Sequence, residues 1–235
     1  MEQPVAVFDL EKALRAILSE ISTGSNVGGS GVKKCIFDLL LEKFETWSAR
    51  PVSTLGEMKR RDNKTFKGTA WEQFCQFYLT NVMHYDNAWL WHEVPDDIRL
   101  KLKLASKVDN GIDIVCIRRN GRDGDIISAV QCKYRKKITQ TVTWTTLSTF
   151  VGLCSLTGPW HEHIVMTNCK GVSRKTGIPR GPKDRTIAYG TFKNLTRTQC
   201  MFEQPHHNNN TTTATRTEQP KSVEELRAIR LAKFT

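Results

Sequence analysis

A chain of 235 residues, 39% hydrophobic and 25% charged, is long enough to bury one sizeable core and too short for two full-sized domains. No apolar run approaches the roughly 18 to 20 residues a membrane-spanning helix needs, and the start "MEQPVAVFDLEKALRAIL" lacks the cleavage site of a secretory signal, so we expect a soluble, intracellular protein with no membrane partner. The net charge of +11 is unevenly placed: between Lys133 and Arg197 twelve Lys or Arg stand against only Glu162 and Asp184, an excess that favours a polyanion, nucleic acid first, through counterion release.

Residues 5–21 space Phe8, Leu10, Leu14, Ile17, Leu18 and Ile21 along one face of a helix. The Gly/Ser stretch "STGSNVGGSGVKK" breaks it, and a second helix over about 33–47 carries Ile36, Leu39, Leu40, Phe44 and Trp47. These two make a helical hairpin or accessory segment over 1–50, ahead of a main domain over 66–200. That domain opens with a helix in "GTAWEQFCQFYLTNV", followed by a short strand in "AWLWHEVP" that Pro95 closes. "GIDIVCI" and "DIISAVQCKY" are strand-like runs around "RRNGRDG", whose Asn-Gly and Asp-Gly pairs signal a hairpin. "TWTTLSTFVGLCSL" then predicts a helix stopped at Gly158-Pro159, "HIVMTN" a strand, and "TIAYG" a last short strand beyond a basic Gly/Pro loop. Residues 203–220 are low-complexity linker, and 221–235 read as a C-terminal helix with Ser222 as N-cap. The predicted class is α/β: a mixed four- to five-stranded sheet flanked by helices.

Seven cysteines, an odd number without CxxC spacing and mostly in apolar segments, point to buried thiols rather than disulfides or a zinc knuckle. "HEH" at 161–163 reads as the start of a strand rather than a metal site. Most of the six tryptophans belong to a core, and Trp160, beside Gly158-Pro159, is the candidate for nucleic-acid contact.

The hairpin carries the chemistry. Residues two apart in a strand share a face, so Gln131 and Lys133 point the same way. Centring the turn on Arg122 sets Asp113 opposite Gln131, with Val115 facing Ala129 and Ile117 facing Ile127, and brings an acid, an amide and an amine together near Asp109. Asp113 offers a hard anionic oxygen to Mg2+, and the Gln131 side-chain and Cys132 backbone carbonyls offer neutral ones. The metal would activate water and polarise a phosphate, and Lys133 would stabilise charge growing on the phosphoryl oxygens.

"GTAWEQF", "DNGIDIVC" and "AVQCKY", in that order, resemble the PD-(D/E)XK nuclease superfamily in its Mrr-like (type IV restriction endonuclease-like) branch, which uses Gln-x-Lys where many relatives use Glu-x-Lys. The likeness covers about residues 68–170. It implies a restriction-endonuclease-like core, phosphodiester cleavage dependent on Mg2+ with Mn2+ as a substitute, and Glu72, Asp113, Gln131 and Lys133 as the active site, Glu72 joining the metal ligands. "WLWHEVP" and "VTWTTLSTF" resemble nuclease domains attached to phage, viral and restriction-system helicases, although no Walker-type "GxxxxGK[ST]" follows here. The expected substrate is duplex DNA in a defence, recombination or repair setting. Expected partners beyond DNA are a second copy of the chain and a helicase or recombinase.

Competing readings stand beside these. "TAWE" also fits a capping box in which Thr69 caps the helix and Glu72 reaches back to it. Asp109 reads as a turn residue before Gly111. Lys136, Lys137, Arg174, Lys175, Arg180, Lys183 and Arg185 are single solvated charges or, as a group, phosphate contacts flanking the site. The neutral Gln131 also admits an inactive nuclease fold that only binds DNA, and the terminal helices admit an accessory subunit.

Overall fold

The computed structural model describes residues 8–23, 34–49, 63–104, 111–120, 124–173 and 181–202. The chain divides into two compact units, Met1–Phe202 and Glu203–Thr235, and the described fold is that of the first. The linker and C-terminal helix read from 203–235 lie outside the described residues, as do Asp109, Arg122, Arg174, Lys175 and Arg180.

In chain order the elements are α1 (Leu10–Ser22), α2 (Ile36–Ala49), α3 (Asn63–Asn81), β1 (Asn87–Leu90), a 3-10 turn (Trp91–Glu93), α4 (Asp96–Lys101), β2 (Ile114–Arg118) and β3 (Ile126–Lys133). There follow β4 (Val142–Thr143), a 3-10 turn (Trp144–Leu147), α5 (Ser148–Leu156), β5 (Glu162–Thr167), β6 (Val172–Ser173), β7 (Asp184–Ile187) and α6 (Tyr189–Phe192). Strands β1, β2, β3, β5 and β7 form one sheet in that spatial order, and β4 with β6 forms a two-stranded one. The β1–β2 and β2–β3 pairs are antiparallel, and β3–β5 and β5–β7 are parallel. This is the α/β class and the mixed sheet that the sequence predicts, with five strands in the main sheet.

Alternation along the strands splits the core in two. Ile114, Cys116, Val130, Cys132, Ile164 and Met166 face one apolar cluster, which α1, α2 and α3 complete. Val115, Ile117, Ile127, Ala129 and Val165 face a second cluster, built with Phe150 and Cys154 of α5, Trp91 and Trp160. The N-terminal helices are fused into the first layer: Phe37, fully buried, has its ring 5.4 Å from that of Phe74 and 4.9 Å from that of Phe192. Burying one such ring contributes about 1.5–3 kcal/mol. Asp9 caps α1 by accepting the Lys12 amide at 2.9 Å.

Two sequence expectations are corrected. The third helix begins at Asn63, not near Gly68, so Thr69 lies inside it and cannot be the N-cap of a capping box with Glu72. Trp160 is only 3% exposed, and its indole N–H donates to Thr157 Oγ1 at 3.0 Å, which makes it a core side chain and not a platform for bases. Gly158, at φ +109°, is what lets the chain fold over it, since a Cβ there would stand 2.7 Å from the indole.

Candidate active site

The site forms where β2 begins and β3 ends. Ile114 pairs with Val130, Val115 with Ala129 and Ile117 with Ile127, the register predicted from the turn. Asp113 stands one residue before the first of these pairs, and its amide still donates to the Val130 carbonyl at 2.9 Å. There the ladder gives way to side chains. The Asp113 carboxylate oxygen Oδ2 accepts from the Gln131 side-chain amide and, at 2.5 Å, from the Cys132 backbone N–H.

Asp113 is 7% exposed and Gln131 2%. A carboxylate so far from water is tolerated because donors converge on it, and charge-assisted bonds of this kind are about twice as strong as neutral ones. N–H and C=O of one strand residue point to the same side, so the Cys132 carbonyl projects with its N–H toward the edge where β2 stops. Lys133, half-buried, shares the face of Gln131, and no carboxylate among the described residues pairs with its ammonium. An anionic oxygen, an amide and a backbone carbonyl thus lie together at one strand end, with Lys133 two residues beyond Gln131 on the same face.

The Cys132 thiol takes no part in this. It points to the opposite face, where burial first, then the neighbouring Cys75 thiol and the charges of Asp113 and Glu72, push it well above the ordinary thiol range. Glu72 is half-buried on α3, the helix that packs on this Cys132 face of the sheet. Among the described residues no group of three His, Cys, Asp or Glu could hold a metal by itself. The donor set here is oxygen-rich with a single carboxylate inside it, which suits a hard divalent cation keeping several waters better than a site made wholly of protein ligands.

Of the predicted phosphate contacts, Lys136 and Lys137 are exposed in the turn that leaves Lys133. Lys183 and Arg185 lie elsewhere. Lys183 precedes β7 and Arg185 pairs with Ile164 on one side of β5, while Gln131 and Lys133 pair with Val165 and Thr167 on its other side. Lys183 Nζ donates to the Trp160 carbonyl at 2.7 Å, and Arg185 sits 3.5 Å from Glu162 on the α3 side of the sheet. The structure does not bring these two beside Asp113.

Sequence reasoning missed Glu45 and Tyr134. The Tyr134 hydroxyl, next in the chain to Lys133, donates to Glu45 Oε1 of α2 at 3.0 Å, and Lys67 Nζ holds Glu45 Oε2 at 2.6 Å. Partial burial would raise the Glu45 carboxyl, but the bonds from Lys67 and Tyr134 and the charge of Lys136 hold it below the ordinary range. No local pattern announces a contact between residues 89 apart.

Residues 80–177 match the family model Mrr_cat_2, described as "Restriction endonuclease". Among solved structures the chain is similar to "ATP-dependent Type ISP restriction-modification enzyme LlaBIII bound to DNA", at 18% identity and a TM-score of 0.41, over 78% of this chain and 11% of that one. The chain thus spans about a ninth of that enzyme's length. No curated protein matches.

Proposed function

The chain carries an Mrr-like nuclease domain, and on that premise we propose that it is a divalent-metal-dependent endonuclease hydrolysing phosphodiester bonds of duplex DNA. The carrying observation is the convergence of Asp113, Gln131 and Cys132 at the end of β2, with Lys133 on the same face. Asp113 Oδ1, the Gln131 amide oxygen and the Cys132 carbonyl would hold Mg2+, with Mn2+ as a substitute. Bound there, the cation would supply a water of lowered pKa and would polarise the scissile phosphate.

The chain's own residues do the rest. Lys133 orients the attacking water and stabilises the negative charge that grows on the phosphoryl oxygens, a task suited to a compact ammonium. Glu72 adds negative potential from α3 and takes part in holding the cation through water. Because Gln131 is neutral, the site carries less charge than a pair of carboxylates, so the DNA phosphate itself contributes to cation binding. Lys136 and Lys137 hold the backbone beside the site without reading sequence. Arg174, Lys175 and Arg180 act with them, and Lys183 and Arg185 contact DNA further along.

In this reading residues 66–200 are the nuclease core, 1–50 an accessory helical segment, 203–220 a linker and 221–235 a docking helix. The chain works in defence, recombination or repair, pairs with a second copy to cut both strands, and is served by a helicase or recombinase. No helix among the described residues is long and apolar enough to cross a membrane. The neutral Gln131 favours one second reading, a nuclease fold that binds DNA without cutting it.

Supercoiled plasmid incubated with Mg2+, Mn2+ or EDTA separates the two. Metal-dependent nicking or linearisation that is lost in Asp113→Ala and Lys133→Ala, with binding retained, supports the nuclease. Salt-sensitive binding without cleavage, unchanged by either substitution, supports the binding module and sinks the first reading.

A further inference from the structure

The chain that leaves β3 is held past its last paired residue by hydrogen bonds from side chains, with a consequence for the site. The final β3–β5 pair is Lys133 with Thr167. Polar backbone groups alternate sides along a strand, and Cys132 turns its N–H toward β2 and the Asp113 carboxylate. Lys133 and Arg135 therefore turn theirs toward β5, where the backbone ladder has run out. Two side chains take its place. Thr167 Oγ1 donates to the Lys133 carbonyl at 2.7 Å. The Asn168 amide then pairs reciprocally with Arg135: Oδ1 accepts the Arg135 N–H at 2.6 Å, and Nδ2 donates to the Arg135 carbonyl at 2.7 Å.

Neither side chain is a surface accident. Thr167 is fully buried and Asn168 is 1% exposed. Tyr134, between the two clamped residues, points to the other face and is tied to Glu45 of α2. Three consecutive residues, beginning at Lys133, are thus fixed from two directions, immediately before the chain enters the exposed turn with Lys136 and Lys137. A strand end next to an exposed loop ordinarily frays, and fraying here would swing the Cα–Cβ bond of Lys133 and the neighbouring Cys132 carbonyl together.

We propose that Thr167 and Asn168 are positioning residues for the reaction: they extend the β3–β5 ladder with side-chain bonds and so hold Lys133 and the Cys132 carbonyl in register with Asp113. The inference rests on the reading of this site as a nuclease. Neither residue touches substrate in this scheme. Both act through the backbone of the strand that carries the amine, and a displacement of about 1 Å in a reacting group is enough to cost up to two orders of magnitude in rate.

The test uses the full chain on supercoiled plasmid with Mg2+, comparing wild type with Thr167→Val, Thr167→Ser and Asn168→Ala, and measuring kcat, KM and the melting temperature of each. Thr167→Val keeps the shape and loses the hydroxyl. It is expected to lower kcat roughly 10- to 100-fold at a temperature where it is fully folded, with KM for DNA unchanged. Thr167→Ser restores the bond and most of the rate, and Asn168→Ala follows Thr167→Val. Wild-type kcat in a folded Thr167→Val, or a loss that Ser does not rescue and that only tracks the folded fraction, overturns the positioning role while leaving the nuclease intact. A wild type that cleaves with neither Mg2+ nor Mn2+ overturns the nuclease reading and the positioning role with it, and Thr167 and Asn168 then only terminate a strand.

Discussion

Replacing Asp113 by Asn separates its two duties, folding and cation binding. Asp113 Oδ2 accepts two hydrogen bonds in a nearly water-free position, and an Asn oxygen of the same shape can still accept them. Changing two charge-assisted bonds for neutral ones costs about 2–3 kcal/mol. Removing a buried charge returns several kcal/mol of desolvation in the opposite direction, roughly cancelling that loss. Asp113→Asn is therefore expected to melt close to wild type without metal. With Mg2+ the two diverge. At about ten times its Kd, a bound cation stabilises the folded state by RT ln 11, about 1.4 kcal/mol, which wild type gains and the variant does not. For a chain of this size that is a rise of roughly 3–6 °C. A protein of net charge +11 does not accumulate divalent cations non-specifically, so a melt repeated in NaCl of matched ionic strength isolates the specific part. Equal Mg2+ shifts in both proteins would place the cation elsewhere. A wild type that cleaves with Mg2+ yet shows no shift at saturating metal would remove the argument that Asp113 holds it.

Two further outcomes are expected. Changing Lys136 and Lys137 to Gln removes two exposed positive charges beside the site; if both touch phosphates, the slope of log K against log salt falls by about 0.9 for each on duplex DNA, and an unchanged slope excludes them from the interface. Tyr85, buried and bonded to Ser128 and Glu162, has its phenol pushed up to about 12, burial being the largest cause. Its unfolded form ionises near 10, so its contribution to stability is complete below about pH 10 and fades as pH rises towards 12. Ultraviolet difference titration of wild type against Tyr85→Phe checks this, and a Tyr85 signal near 10 contradicts it.

The hairpin was legible because two signals agreed on it: strand-like apolar runs in "GIDIVCI" and "DIISAVQCKY", and turn residues midway between them. Together they set the pairing of Val115 with Ala129 and of Ile117 with Ile127 to the residue, while Asp113 lies one residue beyond the last pair and meets Gln131 through its side chain. The helical faces of α1, α2 and α5 were read from their 3.6-residue spacing for the same reason. The start of α3 was misplaced because Gly68 was taken as a boundary, whereas a glycine within a helix costs only about 1 kcal/mol and tertiary burial of Trp71 and Phe74 outweighs it. α4 escaped notice because six residues behind Pro95 are too few to show a period. β4 and β6, two residues each, have none. Trp160 misled because a Gly-Pro pair beside an aromatic looks the same in sequence whether the ring faces solvent or is folded under its own turn. Thr167 and Asn168 read as the tail of a strand, and only the pairing shows what they hold.

The roofing of the sheet bears on how such chemistry could be passed between proteins. The span that matches the restriction-endonuclease model starts at residue 80, within the last turn of α3, and so takes in β1 to β6, α5, Asp113, Gln131 and Lys133 but neither Glu72 nor β7, and almost nothing that covers Ile114, Cys116, Val130, Cys132, Ile164 and Met166. Cut out alone, that span would present an oily sheet face to water. The matched span and the folded body are therefore different lengths of chain, and α1, α2 and most of α3 shelter the strands from outside that span. The shelter also reaches Tyr134 through Glu45, so a change in this roof changes the footing of the residue beside Lys133.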